Sequence, residues 1–480
     1  MPSKPPRPGG SRTPTVALRG GDQRRLLLVN PAVKAYGDRG QGHPTHAGGV
    51  VTMEPLALAY VAAVTPPDWA VRIVDEACPE RGRGDVHEVA ADFKPDLVAL
   101  TSLTQSAPRA YEISAGLRAA GLPVVIGGVH ATLLPDEVAQ HADVVYQGEA
   151  EGGWPALIRD FEAGQLRPRY QGGAPPLAGL PVPWREYARR YRLDLVSASR
   201  GCRYRCEFCT LWKLESGRHR TRPPDEVVDE IAALDSGRRV NRHRPIFFTD
   251  ENVFVEREWA IDLFRTMAAR GIRRPYAIQA SLDIADDDEV LAVLQETGCM
   301  TVLIGFESVS EESLRLMRKG VNLRIGIERY KDKIDRLHAH GLAASGTFMF
   351  GNDGDGPDIF RRTVKFVLDA GLDLAHFGLL TPNPGTDLFD RLAREGRLLF
   401  TNFPQDYARY DLRTAVFQPL HMTCEELEQG LVWATRAIGA GRVLARRARR
   451  TWQATHNPVI TALALAWNQS GLYRRVMGGR

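Results

Sequence analysis

Leu193-Asp194-Leu195-Val196-Ser197-Ala198 runs without a break into Ser199-Arg200-Gly201-Cys202-Arg203-Tyr204-Arg205-Cys206-Glu207-Phe208-Cys209. The first six residues read as a buried strand, and the rest as the loop at its carboxyl end. Active sites of α/β barrels are built from such loops. Of six cysteines in 480 residues, Cys202, Cys206 and Cys209 fall within eight residues, while Cys78, Cys299 and Cys424 stand alone. Six are too few for a disulfide scaffold, and clustering of this kind points to metal. Three thiolates on a tight loop can hold three irons of a 4Fe–4S cluster and leave the fourth iron open. The alternative is structural zinc, which would want four protein ligands, usually as two pairs far apart.

Toward the carboxyl terminus, strand-like runs recur at Ile246–Thr249, Tyr276–Ser281, Val302–Phe306, Ser345–Phe350 and Ala375–Leu380. Amphipathic helical stretches separate them, such as Asp225–Leu234 with Val227, Val228, Ile231 and Leu234 on one stripe. Six βα units in roughly 190 residues are too few for a closed eight-fold barrel of about 250 residues, so 191–400 is read as an open, partial barrel. Polar residues close its strands: Thr249-Asp250-Glu251-Asn252, then Gln279 and Ser281, then Glu307-Ser308. Each can also be ordinary strand-end polarity, and the acidic pair can be a helix-start cluster favoured by the helix dipole. The tail, 401–480, is expected to be mainly helical, with an N-terminal cap at Thr423-Cys424-Glu425-Glu426.

Toward the amino terminus, the Pro- and Gly-rich 162–190 reads as a linker. Before it, 24–161 alternates five strands (Leu26–Asn30, Val71–Asp75, Leu97–Leu103, Val124–Gly128, Val144–Gln147) with helices at Glu54–Val64, Val86–Phe93, Ala107–Ala120 and Asp136–His141. That alternation predicts a doubly wound, Rossmann-like parallel sheet, whose ligands bind beyond the carboxyl ends of the strands. Those ends carry Thr101-Ser102-Leu103, Gly127-Gly128 and Gly148-Glu149-Ala150-Glu151. Small and hydroxylated residues there leave room for a long ligand tail. No Gly-x-Gly-x-x-Gly follows the first strand, which weighs against NAD. Residues 1–23, rich in Pro, Gly and Arg, read as a flexible tail.

Composition sets the outer bounds. Hydrophobic residues make up 44%, charged residues 25%, and mean hydropathy is −0.26, as in soluble globular proteins. A net charge of +4, from 62 basic against 58 acidic residues, argues against nucleic acid as the main partner. The positive excess is local, around Arg446, Arg447, Arg449 and Arg450. The best candidate for a membrane span, Val459 to Trp467, is nine residues long and contains Thr461, too short to span, and no signal-peptide core precedes the first strand. A cytoplasmic location is the expectation.

The spacing Cys-x3-Cys-x2-Cys, with Phe208 just before the third cysteine, resembles the radical S-adenosylmethionine (radical SAM) superfamily. The resemblance implies that Cys202, Cys206 and Cys209 ligate the cluster and that SAM chelates its open iron. It also implies that Phe208, Asp250, Glu251, Gln279, Ser281, Glu307 and Ser308 lie along SAM, the acids toward its amino group and ribose. A Rossmann-like sheet ahead of such a barrel resembles the cobalamin-binding branch. There Thr101-Ser102-Leu103 stands for the branch's Ser-x-Leu, Gly127-Gly128 for its Gly-Gly, and Gly148-Glu149 closes the next strand. The branch's Asp-x-His-x-x-Gly is missing after Asn30, and His43 and His46 read as exposed, so cobalamin is expected without a protein imidazole on cobalt. From Leu26 to about Ala440 the chain is similar to the group that includes the hopanoid methylases.

The activity so implied is methylation of an unactivated carbon of a lipid or natural product with two SAM molecules. One methylates cobalamin, and the other yields a 5′-deoxyadenosyl radical. A small-molecule or lipid substrate and an electron donor such as flavodoxin or ferredoxin are the implied partners. The alternatives are a radical rearrangement or cyclisation with the same cofactors and, from another class, a non-catalytic cobalamin or redox sensor.

Overall fold

The computed structural model describes residues 23–33, 53–77, 85–185, 191, 193–215, 217–236 and 244–469. His43, His46 and Cys78 lie outside them.

The amino-terminal sheet contains β1 (Arg25–Asn30), β2 (Ala70–Asp75), β3 (Leu97–Thr101), β4 (Val124–Gly127), β5 (Val144–Gly148) and β6 (Arg169–Gly173). Their order is β2-β1-β3-β4-β5-β6, and all pairs are parallel. Consecutive residues Leu26, Leu27, Leu28 and Val29 are each 0% exposed because helices cover both faces. Leu27 and Val29 pack with Val89, Ile113 and Leu117, whereas Leu26 and Leu28 pack with Leu58, Trp69 and Trp154.

Three expectations shift. A sixth strand exists, and it comes from the segment read as linker: Tyr170 and Gln171 pair with Tyr146 and Gln147 of β5. The third strand stops at Thr101 because the chain bends into a short turn, with Leu103 N donating to Ser106 Oγ at 3.1 Å. The helix expected at Asp136–His141 is replaced by two short ones, Val129–Leu133 and Pro135–Val138, the second started by its proline.

The second sheet contains β7 (Asp194–Val196), β10 (Ile246–Phe248), β11 (Tyr276–Ala280), β12 (Cys299–Glu307), β13 (Ala343–Phe350) and β14 (Leu374–Leu379), all parallel and in sequence order. Six strands and their helices form the open partial barrel. Between β7 and β10 lies a two-stranded antiparallel ribbon, β8 (Ser199–Arg200) with β9 (Arg220–Thr221). The run Leu193–Ala198 is therefore shorter as a strand than its apolarity suggests.

The tail is mainly helical: Cys424–Gly439, Gly441–Thr455 and Pro458–Gln469. The first has the expected capping box, with Thr423 Oγ1 accepting from Glu426 N at 3.1 Å and Thr423 N donating to Glu426 Oε2 at 2.8 Å. This region closes the amino-terminal end of the barrel, where Ile460 packs on Met300 and Ala343.

Candidate functional site

The carboxyl ends of both sheets border one cavity of about 450 Å³, a size typical of ligand pockets. The first sheet contributes Thr101, Gly127, Gly128, Gly148 and Glu149, above an apolar floor that includes Leu28 and Ala99. The ends of β7 and β10 in the second contribute Ser197, Thr249 and Glu251, and the adjoining β8 ribbon contributes Ser199 and Arg200.

The two adjacent glycines play different parts. Gly128 has φ +93°, and a Cβ there would stand 2.7 Å from Thr101 Oγ1 and 2.8 Å from Ser102 N. Glycine is needed for the chain leaving β4 to cross the end of β3. At Gly127 a Cβ would meet nothing nearer than Tyr146, at 3.5 Å, so its missing side chain leaves space open. Ser102 is fully buried, with its hydroxyl donating to Leu103 O at 3.3 Å, and Leu103 is 53% exposed. Neither residue lines the cavity, so of that tripeptide only Thr101 does.

Glu149 is engaged by the other sheet. Arg200, two residues before Cys202, pairs with Glu149 at 2.8 Å and with Glu151 at 2.6 Å. Arg220 on the neighbouring β9 pairs with Glu149 too and with Glu215 at 2.7 Å. The Arg200 guanidinium also lies 5.2 Å from the Tyr60 ring centre. These carboxylates clamp the end of β5 to the strand that feeds the cysteine loop. Glu149, expected to touch cobalamin, spends its charge on this clamp.

The loop is held in shape from β10. Asp250 is 0% exposed and accepts from Ala198 N at 3.1 Å and from Ser199 N and Oγ at 2.5 Å each. Its carboxylate is enclosed by protein, so it does not offer the expected approach to a SAM amino group. It bends the chain from β7 into β8 instead. Glu251 accepts from Gly201 N at 3.0 Å while bordering the cavity, and burial raises its pKa. Gly201 has φ +98°, and a Cβ would fall 2.0 Å from Arg218 O.

Cys202, Cys206 and Cys209 are partly buried free thiols, and Cys209 N donates to Cys206 O at 3.1 Å in a tight turn. They are near enough to influence one another's titration. Burial raises all three pKa values, Cys206 to about 11, while the Lys319 ammonium pulls each down. Lys319 pairs with Glu307 at 2.7 Å, and Glu307 takes φ +63°, unusual for a carboxylate residue. Among the described residues no three His, Cys, Asp or Glu side chains converge as a single ion needs. Thiolates that each bind a different iron stand farther apart. Cys299, buried at the start of β12, sits at the opposite end of the barrel. Three soft donors beside a cation, with no fourth cysteine at hand among the described residues, fit an iron–sulfur cluster with one open iron.

The remaining expected contacts are partly consumed by the fold. Gln279 Nε2 donates to Asp250 O at 3.2 Å, and Ser281 Oγ donates to Asp283 at 2.6 Å. Ser308 Oγ accepts from Ser310 N at 3.1 Å. Phe208 packs on barrel residues and beside Leu388 and Leu392 as a half-buried anchor of the loop. Arg200 and Lys319 went unnoticed in the sequence, since nothing marks the arginine as a partner of the first sheet or the lysine as a neighbour of the cysteines. The buried group of Tyr111, His130, Glu137 and Tyr407, which fastens 405–409 to the first sheet, was equally unsignalled; Tyr407 Oη donates to Glu137 at 2.6 Å.

Comparisons agree with this division. Residues 196–367 match the Radical SAM superfamily, and 49–158 match the B12 binding domain. The chain is 31% identical to the bacteriochlorophyllide d C-12(1)-methyltransferase of Chlorobaculum tepidum, over 88% of this chain and 89% of that one. It is 27% identical to the hopanoid C-2 methylase of Rhodopseudomonas palustris (80% and 72%). To the anaerobic magnesium-protoporphyrin IX monomethyl ester cyclase of Cereibacter sphaeroides it is 26% identical (81% and 68%). Its fold is similar to that of the radical SAM methyltransferase TsrM of Kitasatospora setae, solved with tryptophan and a SAM analog: TM-score 0.66, 18% identity, 95% and 99% coverage.

Proposed function

This chain belongs to the cobalamin-binding radical SAM enzymes, with a 4Fe–4S cluster, SAM and cobalamin as cofactors, and from that premise we propose that it is a C-methyltransferase acting on an unactivated carbon of a lipid or natural product. The observation that carries the reading is one cavity bordered by Gly127 and Gly128 at the end of the first sheet, by Ser197 and Thr249 after β7 and β10 of the second, and by Arg200 of the ribbon that leads into the cysteine loop. A methyl carrier held by the first sheet and a radical generated at the second would then share one space.

The chain's residues divide the work. Cys202, Cys206 and Cys209 are the cluster ligands, Lys319 offsets their negative charge, and Glu307 holds Lys319 in place. Glu251 and Gly201 shape the rim toward SAM. Thr101, Gly127 and Gly128 form the slot for the cobalamin tail, and no histidine lies among the described residues of the cavity wall. When bound, the cofactors supply reductive SAM cleavage and methyl transfer; the protein positions them and excludes water. An electron donor such as flavodoxin or ferredoxin completes the system.

The test is an anaerobic incubation with cobalamin, a reductant, candidate substrates and SAM bearing a deuterated methyl group. Methylation gives 5′-deoxyadenosine and a product heavier by one labelled methyl. The likeness to a cyclase favours a second reading, cyclisation without methyl transfer. It would give 5′-deoxyadenosine and an unlabelled product.

A further inference from the structure

Charge is unevenly divided along the chain. From Gln429 to Arg480 the sequence holds nine arginines and no Asp, Glu or Lys, although the whole protein carries only +4. The rest of the chain is therefore net negative.

The helix Gly441–Thr455 gathers five of these arginines and uses them in two ways. Leu444, Arg447 and Thr451 face inward. Arg447 is buried and donates to the carbonyls of Ile438, Leu372 and Asp373 at 3.1, 3.3 and 3.1 Å, so it is part of the packing. Arg442, Arg446 and Arg449 are exposed on the opposite side, at spacings of four and three residues that align them in one row. Arg450 flanks the row on one side and Trp452, 46% exposed, on the other. Trp433 (46%) on the preceding helix and Val459 (50%) on the following one are exposed as well. No acidic residue of these three helices lies beyond Glu428, so the helices themselves supply the row with no counter-charge.

We propose that this face docks on an anionic lipid membrane. Like charges aligned on one face repel, and an anionic surface relieves that repulsion, at about 1 kcal/mol for each basic residue near it. Trp452 beside the row suits the headgroup layer, where an apolar ring with a polar edge is favoured. None of the described helices is long and apolar enough to cross a membrane, so the contact is peripheral. An acidic electron-donor protein fits this face less well. The tail helices pack at the amino ends of β12 and β13, through Met300 and Ala343. The cysteine loop leaves the carboxyl end of the barrel, and eight residues of β13 span roughly 25 Å between the two ends. The membrane proposal does not depend on which reaction the enzyme catalyses.

The experiment is flotation of the full-length holoprotein with phosphatidylcholine vesicles, with and without phosphatidylglycerol at about one third of the lipid. The protein should float with the anionic vesicles at low salt and lose affinity as salt rises. Arg442→Glu/Arg446→Glu/Arg449→Glu should weaken binding by about a hundredfold or more. Its cluster absorbance and melting temperature should match the parent, which separates loss of docking from misfolding. Trp452→Ala should weaken binding several-fold without changing its salt dependence. Equal binding to both vesicle types, or no binding at low salt, overturns the proposal. So does tighter binding to duplex DNA or to flavodoxin than to anionic vesicles, with the same triple variant abolishing it.

Discussion

Both halves of the molecule are six parallel strands, yet their carboxyl ends are finished in opposite ways. The first sheet ends in residues that leave space: Thr101, Gly127, Gly128 and Gly148 border the cavity with backbone and one hydroxyl. The second ends in residues that fill and fix: Asp250, Glu251 and Glu307 bind neighbouring backbone or Lys319. A large ligand with its own hydrogen-bonding groups needs a cleared slot. A cluster held by three thiolates needs a loop whose shape does not drift. On the proposed reading the bulky cofactor belongs to one sheet and the metal to the other, and the cysteine and glycine variants below are designed to remove one without the other.

The largest effect is expected at the cysteine loop. Cys202→Ala/Cys206→Ala/Cys209→Ala should abolish iron–sulfur absorbance and SAM cleavage and leave cobalamin binding within about twofold of the parent, a factor worth under ~0.5 kcal/mol. Cys299→Ala and Cys424→Ala should retain the cluster in the same iron assay.

Next comes the clamp between the sheets. Arg200→Ala leaves Glu151 without its ion-pair partner, while Glu149 keeps Arg220, and a charged acceptor so stranded typically costs about 1–3 kcal/mol. Denaturant unfolding should show that loss, and Glu149→Gln should cost less because Arg200 keeps Glu151. Equal stability of parent and Arg200→Ala would remove the clamp from the account.

The barrel also holds a neutral histidine. His376 lies beside Ser345 Oγ at 2.9 Å, and burial lowers its pKa to about 4. The unfolded chain, titrating near 6.5, binds more protons than the folded one between those values. Stability is therefore fully present above pH 6.5 and declines as pH falls toward 4, by on the order of 3 kcal/mol. Calorimetry across that window should show a shallower decline for His376→Gln; an unchanged slope would assign the dependence elsewhere.

Smaller effects are expected at the cobalamin slot. Gly127→Leu projects into open space and should weaken cobalamin binding about tenfold to a hundredfold, with the cluster intact. Gly128→Leu should instead damage the first sheet, since its Cβ meets Ser102 backbone. Thr101→Val should weaken binding only several-fold, as for one hydroxyl lost at about 1 kcal/mol. Equilibrium titration with cobalamin separates these three.

How far the sequence was legible follows from what each feature depends on. The strand interior Leu26–Val29 was readable because burial on both faces demands unbroken apolarity, and Val302–Phe306 because every second residue is fully buried. The cysteine triplet was readable because its ligands are local. The sixth strand was hidden, because Arg169–Gly173 sits at the sheet edge, is half polar and lies in a Gly-rich stretch. Arg200, Lys319 and the internal use of Asp250 were hidden for another reason. Their partners are 12 to 52 residues away in sequence, and a long-range ion pair leaves no periodicity. Residue type alone did not separate the two strand-end acids, Asp250, which serves the fold, and Glu251, which borders the cavity.

The central claim is that two cofactors held by two sheets face one cavity, and electron paramagnetic resonance of the holoprotein tests it most directly. Cobalt in the Co(II) state and a singly reduced cluster are both paramagnetic, so two centres facing one space must sense each other. Reducing the cluster should broaden the Co(II) spectrum and speed its relaxation, and the triple cysteine variant should show neither change. A Co(II) signal indifferent to the oxidation state of the cluster would place the two cofactors apart and contradict the account.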